Sequence, residues 1–250
     1  MLFIRSILPC VMLIFNLWAS EMPWAMAAEA EGGISLSRTR VVYQSTDNAQ
    51  TLTVQNNGSL PYLIQSAVVM SPDSQTTAPF ITTPPMFRLE ANSTNTLRIL
   101  RKGHEGMPID RESLFYFTAI AIPASAQPKD ADTGSMVARV SVGIQNTIKL
   151  FYRPAGLEME ARDAEGRLTF RYEAGEVQVT NPTPYHLTLS RLMFDDKQLK
   201  VRESVPMIAP FSQASYAVDG PVHKVQWSVI NDYGGNSRLY SSRVTSGEVQ

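Results

Sequence analysis

From residue 34 onward the chain is built of short stretches in which apolar and polar residues alternate, cut from one another by turn-forming pairs. Ile34–Tyr43, Thr51–Gln55 and Leu60–Val69 are of this kind, separated by Asp47-Asn48 and Asn57-Gly58. Alternation of period two marks a strand buried on one face. Thr94–Ile99, Ser113–Ile122 and Val137–Tyr152 continue the series, and Leu168–Tyr172, Val177–Thr180, Tyr185–Phe194, Lys224–Ile230 and Leu239–Val244 repeat it in the second half. No stretch carries a sustained helical stripe with caps. Many short strands at this spacing predict an all-β chain made of sandwiches.

The first residues read differently. Met-Leu-Phe-Ile-Arg5, an apolar run from Ile7 to Trp18 and the triplet Ala25-Met26-Ala27 have the parts of a secretory signal peptide. The run is shorter than the roughly 20 residues of a membrane-spanning helix. Cleavage is expected after Ala27, so residues 1–27 are read as a signal peptide that is removed. Cys10, the one cysteine, leaves with it, and the exported product must hold itself together by core packing rather than disulfides. With 22 basic against 23 acidic side chains there is no basic excess to favour nucleic acid or an anionic membrane surface. No later apolar run could span a bilayer, so no membrane insertion is expected.

A division falls at Arg153-Pro154-Ala155-Gly156, where proline cannot continue a central ladder. Two domains of immunoglobulin-like size are expected, 28–156 and 157–250. Ala124–Ser135 is small, polar and broken by proline, and reads as a mobile hairpin loop.

Chemistry is sparse. His104, His186 and His223 lie far apart and belong to no metal motif, and no nucleophile elbow, P-loop or dinucleotide fingerprint is present. Neither an enzyme nor a metal or other cofactor is expected. The informative residues are charges set in strand-like runs. Arg38 and Arg40 share one face of the first strand by alternation, and Lys149 and Arg153 share one face of the long one. Glu112 stands just before Ser113–Phe117, and Asp232 follows Trp227–Ile230. Taken singly, such charges point into water from a half-buried sheet. In the long strand one parity carries Val140, Val142, Ile144, Ile148 and Leu150, and the other carries Arg139, Gln145, Thr147 and Lys149.

Seven runs occur in order: Ile34–Tyr43, Leu60-Pro-Tyr-Leu63, Thr83-Pro-Pro85 with Arg88-Leu89, Arg111-Glu-Ser-Leu-Phe-Tyr-Phe117, Ile148-Lys-Leu-Phe-Tyr-Arg-Pro154, Asn181-Pro-Thr-Pro-Tyr185 and Asn231-Asp-Tyr-Gly-Gly235. Together they resemble the periplasmic chaperones of the chaperone–usher pathway, the PapD-like family, over nearly the whole chain from Ile34 to Val244. The resemblance implies two immunoglobulin-like domains in a boomerang arrangement with a cleft between them. It implies that Arg40 and Lys149 hold the terminal carboxylate of a fimbrial subunit. It implies that Glu112, Arg153 and Asp232 form an interdomain salt-bridge network, and that Val140, Val142 and Ile144 are the donor strand that fills the subunit's groove.

The function so implied is a periplasmic chaperone that binds, folds and caps pilus subunits by donor-strand complementation and delivers them to an outer-membrane usher. Self-capping oligomers are expected when it is free. Strand exchange needs only a better-fitting strand, so no nucleotide or metal is implied. The polar loop before Val137 is a little long for the short-loop branch of the family, but the resemblance implies a cysteine pair near this hairpin in the long-loop branch and the mature chain has none, which favours the short-loop branch. The alternative is a secreted two-domain immunoglobulin-like adhesin or binding module.

Overall fold

The computed structural model describes residues 33–74, 76–103, 106–124 and 142–246. The signal-peptide reading, with Cys10, as well as His104, Val140 and most of the 124–135 loop, lies outside the described residues.

The first nine strands are β1 (Ile34–Leu36), β2 (Arg40–Gln44), β3 (Gln50–Asn56), β4 (Tyr62–Val69), β5 (Phe80–Thr83), β6 (Met86–Leu89), β7 (Thr94–Arg101), β8 (Ser113–Pro123) and β9 (Ile144–Arg153). They form two sheets, in the orders β1-β3-β7-β5 and β2-β9-β8-β4-β6. Alternate residues meet between the sheets: Val41 and Tyr43, Leu52 and Val54, Leu97 and Ile99, Phe117, and Leu150 are all buried in one core. A second set follows: α1 (Ala161–Ala164), β10 (Thr169–Glu173), β11 (Glu176–Asn181), β12 (Leu187–Phe194), β13 (Lys197–Gln198), β14 (Met207–Ile208), β15 (Ser212–Ala217), β16 (Lys224–Val229), β17 (Tyr240–Arg243) and β18 (Thr245–Ser246). These give sheets ordered β15-β11-β10-β18 and β13-β12-β16-β17, with β14 also on β12. They close around their own core, where Trp227 meets Phe170 at a tilt and stacks on Tyr240. The protein is nearly all β and has two sandwich domains, as its alternation requires. Among the described residues no helix is long and apolar enough to cross a membrane.

Two expectations need correction. Ile34–Tyr43 is not one strand, because the chain changes sheets at Ser37–Thr39: β1 pairs antiparallel with β3, while β2 pairs parallel with β9. Arg38 falls in that crossing, exposed and reaching Gln50, while Arg40 is buried, so the two arginines do not share a face. Alternation holds only within one unbroken ladder. Of the long strand expected over Val137–Tyr152, the described part is β9 from Ile144, with Val142 and Gly143 just before it outside the ladder, and residues 137–141 lie outside the described residues.

The two domains repeat one local device. At the end of β3, Asn56 Nδ2 donates to the Leu60 and Glu90 carbonyls at 2.8 Å each, and its Oδ1 accepts from Gly58 N at 2.9 Å. At the end of β11, Asn181 Nδ2 donates to the Tyr185 carbonyl at 2.7 Å and the Ala209 carbonyl at 2.9 Å, and Oδ1 accepts from Thr183 N at 3.1 Å. A side-chain amide thus satisfies backbone groups that a sheet cannot reach. Asn181→Ala strands the buried Tyr185 carbonyl and the part-buried Ala209 carbonyl, each costing about 1–3 kcal/mol. A loss on the order of 3 kcal/mol is expected, read as a lowered urea midpoint with an unchanged slope.

Candidate functional site

β9 carries three sets of residues along its length. Its first half, Ile144–Ile148, is hydrogen-bonded to β8 on one side, while β2 joins the other side only from Lys149. The Ile144–Ile148 edge therefore has no backbone-paired strand among the described residues, although Asn146 Nδ2 donates to the Ile34 carbonyl of β1 at 3.3 Å. On the inward face Leu150 is fully buried and Ile148 packs on the core, but cover runs out toward the start: Ile144 is 42% exposed and Val142 69%.

Midway, parallel register sets Arg40 directly beside Lys149. Arg40 lies over the Phe151 ring, 5.4 Å from its centroid, and Nη1 donates to the Ile230 carbonyl of the second domain at 2.9 Å. Its buried Nε has no hydrogen-bond partner among the described residues. Burial pushes the Arg40 guanidinium below its usual range, against the pull of Asp232 and Glu112. Burial, and then the Arg40 charge, hold the Lys149 ammonium below the ordinary lysine value of 10.5. Two cations side by side, one with an unused donor and both short of water, make a site whose electrostatics call for an anion.

At its end β9 delivers Arg153 into the seam between the domains. Arg153 Nε donates to Glu112 Oε1 at 2.9 Å, while Nη1 and Nη2 form a bidentate pair with Asp232 at 2.7 and 2.8 Å. The guanidinium also lies 4.9 Å from the Tyr185 ring centroid. Burial works against this charge, but the hydrogen bonds to Asp232 and the charges of Glu112 and Asp232 outweigh it and raise its pKa. Glu112 crosses the seam twice more: Oε2 accepts from His186 N at 2.8 Å, and its own N–H donates to the Pro184 carbonyl at 2.9 Å. His186 Nδ1 lies 3.4 Å from the same Oε2 without hydrogen-bonding geometry.

The residues singled out from sequence thus fall into three places on or beside one strand, with Val140 outside the described residues. Alternation missed the other contacts of the seam. The Arg111 guanidinium lies 4.8 Å from the Phe211 ring centroid across the domains. Gly234, at φ +86°, lies where a Cβ would run into Thr39 Oγ1. Asn181 braces the loop that brings Pro184 and Tyr185 to Glu112. Only the paired prolines and glycines of these loops hinted that a tight approach was needed. Arg40, Glu112, Phe151, Arg153, Tyr185 and Asp232 line an open cleft of about 780 Å³ between the domains. Among the described residues no cluster of His, Cys, Asp or Glu could hold a metal ion.

A family model described as the N-terminal domain of PapD, a pili and flagellar-assembly chaperone, matches residues 33–158, and one described as the C-terminal domain of the pili assembly chaperone PapD matches 163–241. Chaperone protein HifB of Haemophilus influenzae is 36% identical over 216 residues, covering 84% of this chain and 88% of that protein. The probable fimbrial chaperone protein ElfD of Escherichia coli K12 is 37% identical over 215 residues, covering 84% and 86%. Among solved structures, the E. coli chaperone DraB superposes with a TM-score of 0.72 at 38% identity, over 84% of this chain and 98% of that one. The SafB chaperone of Salmonella enterica, solved in complex with the SafA pilin, gives a TM-score of 0.73 at 31% identity, over 85% and 96%.

The two carboxylates on Arg153 differ in exposure, 2% for the Glu112 side chain and 40% for Asp232. Glu112→Ala leaves a buried guanidinium half-paired and is expected to cost about 3–5 kcal/mol. Water can replace part of what Asp232 supplies, so Asp232→Ala is expected to cost about 1 kcal/mol. Urea denaturation of the two variants checks both the order and the gap.

Proposed function

We infer that this chain, which belongs to the PapD family of pilus-assembly chaperones, captures fimbrial subunits in the periplasm by lending them a strand. The observation that carries this reading is the half-open edge of β9, whose backbone is paired with β8 alone over Ile144–Ile148, with Val142 and Ile144 exposed beside it. An unpaired edge next to exposed aliphatic side chains is an aggregation hazard that proteins normally cover. Here it matches a partner that lacks a strand: the backbone edge supplies hydrogen bonds, and alternate side chains fill the vacant groove.

Val140, Val142 and Ile144 are the groove-filling residues in this reading, and Arg40 with Lys149 holds the subunit's terminal carboxylate. That anchor sets the register, since a slip of one residue would turn every donor side chain away from the groove. Glu112, Arg153 and Asp232 hold the domains in the orientation that leaves the cleft open. Export proceeds through removal of residues 1–27, and the loaded chaperone passes its subunit to an outer-membrane usher. When free, the same edge is open to a second copy, which caps it.

The donor strand is tested by Val142→Glu. The side chain is solvent-facing, so the free variant should keep the wild-type melting temperature, yet subunit co-purified from periplasm should fall by about tenfold or more, as burial of a carboxylate in an apolar groove is prohibitive. A melted variant, or subunit recovered at wild-type yield, would overturn the assignment.

The anchor is tested by pH. An arriving carboxylate favours protonated Lys149, so affinity is fully present below the lowered pKa of the free protein and declines as pH rises through it. The decline should begin below the ordinary lysine value of 10.5. Lys149→Arg should bind with little dependence on pH over that range, because arginine keeps its charge. Titrating complex dissociation against pH for the two proteins makes the comparison.

A further inference from the structure

We propose that Tyr233 is a subunit-contact residue supplied by the second domain, its ring covering the last residues of the captured C-terminal segment. This rests on the reading that the cleft holds a subunit's C-terminus, and it adds a contact from the domain opposite the donor strand.

Tyr233 is 97% exposed, the most exposed large hydrophobic residue among those described. Such exposure in a slack loop would mean little, but this loop is pinned at every position. Asn231 Oδ1 accepts from Tyr233 N at 3.1 Å and Gly235 N at 3.0 Å. Asn231 N donates to the Gly235 carbonyl at 2.8 Å, and Gly234 N donates to the Asn231 carbonyl at 3.0 Å. On one side of Tyr233, Asp232 is clamped to Arg153. On the other, Gly234 lies so close to Thr39 that a Cβ would collide with its hydroxyl.

That contact sets the place. Thr39 precedes Arg40, and Arg40 is in register with Lys149, so Tyr233 stands one residue from the point where the second domain touches the anchor strand. It lines the same cleft as Arg40. An aromatic ring on a pinned backbone, with no ring partner among the described residues and only two side-chain torsions to fix, loses little entropy on contact, which is why tyrosine is favoured at recognition hot spots. In the proposed complex a chain ending at the Arg40–Lys149 pair packs against this ring, which would shield the carboxylate's ion pairs from water.

The test uses the full chain and a fimbrial subunit, co-expressed in periplasm and purified as a complex. Release is followed after adding excess labelled wild-type chaperone. Tyr233→Ala is expected to speed release by about tenfold, while Tyr233→Phe and Tyr233→Trp stay within about twofold of wild type. The melting temperature of free Tyr233→Ala should match wild type. If Tyr233→Ala releases at the wild-type rate while Val142→Glu fails to hold subunit, the functional reading stands and this inference falls. A lowered melting temperature of free Tyr233→Ala overturns it too, since the ring would then be structural. If wild type itself retains no subunit, the reading beneath it has failed.

Discussion

The ladder around β9 is the constraint on which the rest of the protein depends. Hydrogen bonds to β8 run from Ile144 to Tyr152, but β2 supports the opposite edge only from Lys149 onward. One strand is therefore half interior and half edge. Its buried end has the cover needed to hold charges out of water, and its open end has backbone groups and aliphatic side chains left to share. A β2 that paired along the whole strand would close the edge and leave an ordinary sandwich. With no β2 there, Arg40 would not stand beside Lys149, and Arg153 would lose the packing that keeps it in the seam.

The seam follows from how a buried guanidinium must be treated. Arg153 cannot shed its proton, so the fold surrounds it with two carboxylates and an aromatic ring drawn from both domains. Each partner is then fixed by something else. Glu112 accepts from the His186 amide, Asp232 sits in a turn closed by Asn231, and Tyr185 follows a loop braced by Asn181. Charged groups with this many fixed partners define one geometry rather than a range of them. The anchor pair differs in kind. Arg40 keeps one tie, to the Ile230 carbonyl, and Lys149 has no hydrogen-bond or ion-pair partner among the described residues. Where the seam is complete the structure holds itself, and where a charge is left uncompensated it is set to hold something else.

Much of this was legible in the residues. Period-two alternation identified the all-β class, and Pro154 marked the end of β9. The charges at Arg40, Glu112, Lys149, Arg153 and Asp232 stood out because charged residues rarely interrupt apolar strands without a use. Short strands were harder to read: β5, β6, β13 and β14 have two to four residues each, too few for any period to register. The pairing of Arg38 with Arg40 failed because alternation carries no sign of where a chain leaves one sheet for another.

What the sequence by itself determined was local: which segments extend, which faces turn inward, and which residues are too polar for the places they occupy. Those properties follow from backbone geometry and side-chain transfer energies, which act over a few neighbouring residues. Only the tertiary structure decided that β2 lies parallel to β9 from Lys149 and no earlier, that Asp232 reaches Arg153 across 79 positions of chain, and that Tyr233 is left in solvent on a rigid loop. These depend on contacts between residues far apart in sequence, where pairing register and the shape of the facing domain set the outcome and no local period records it.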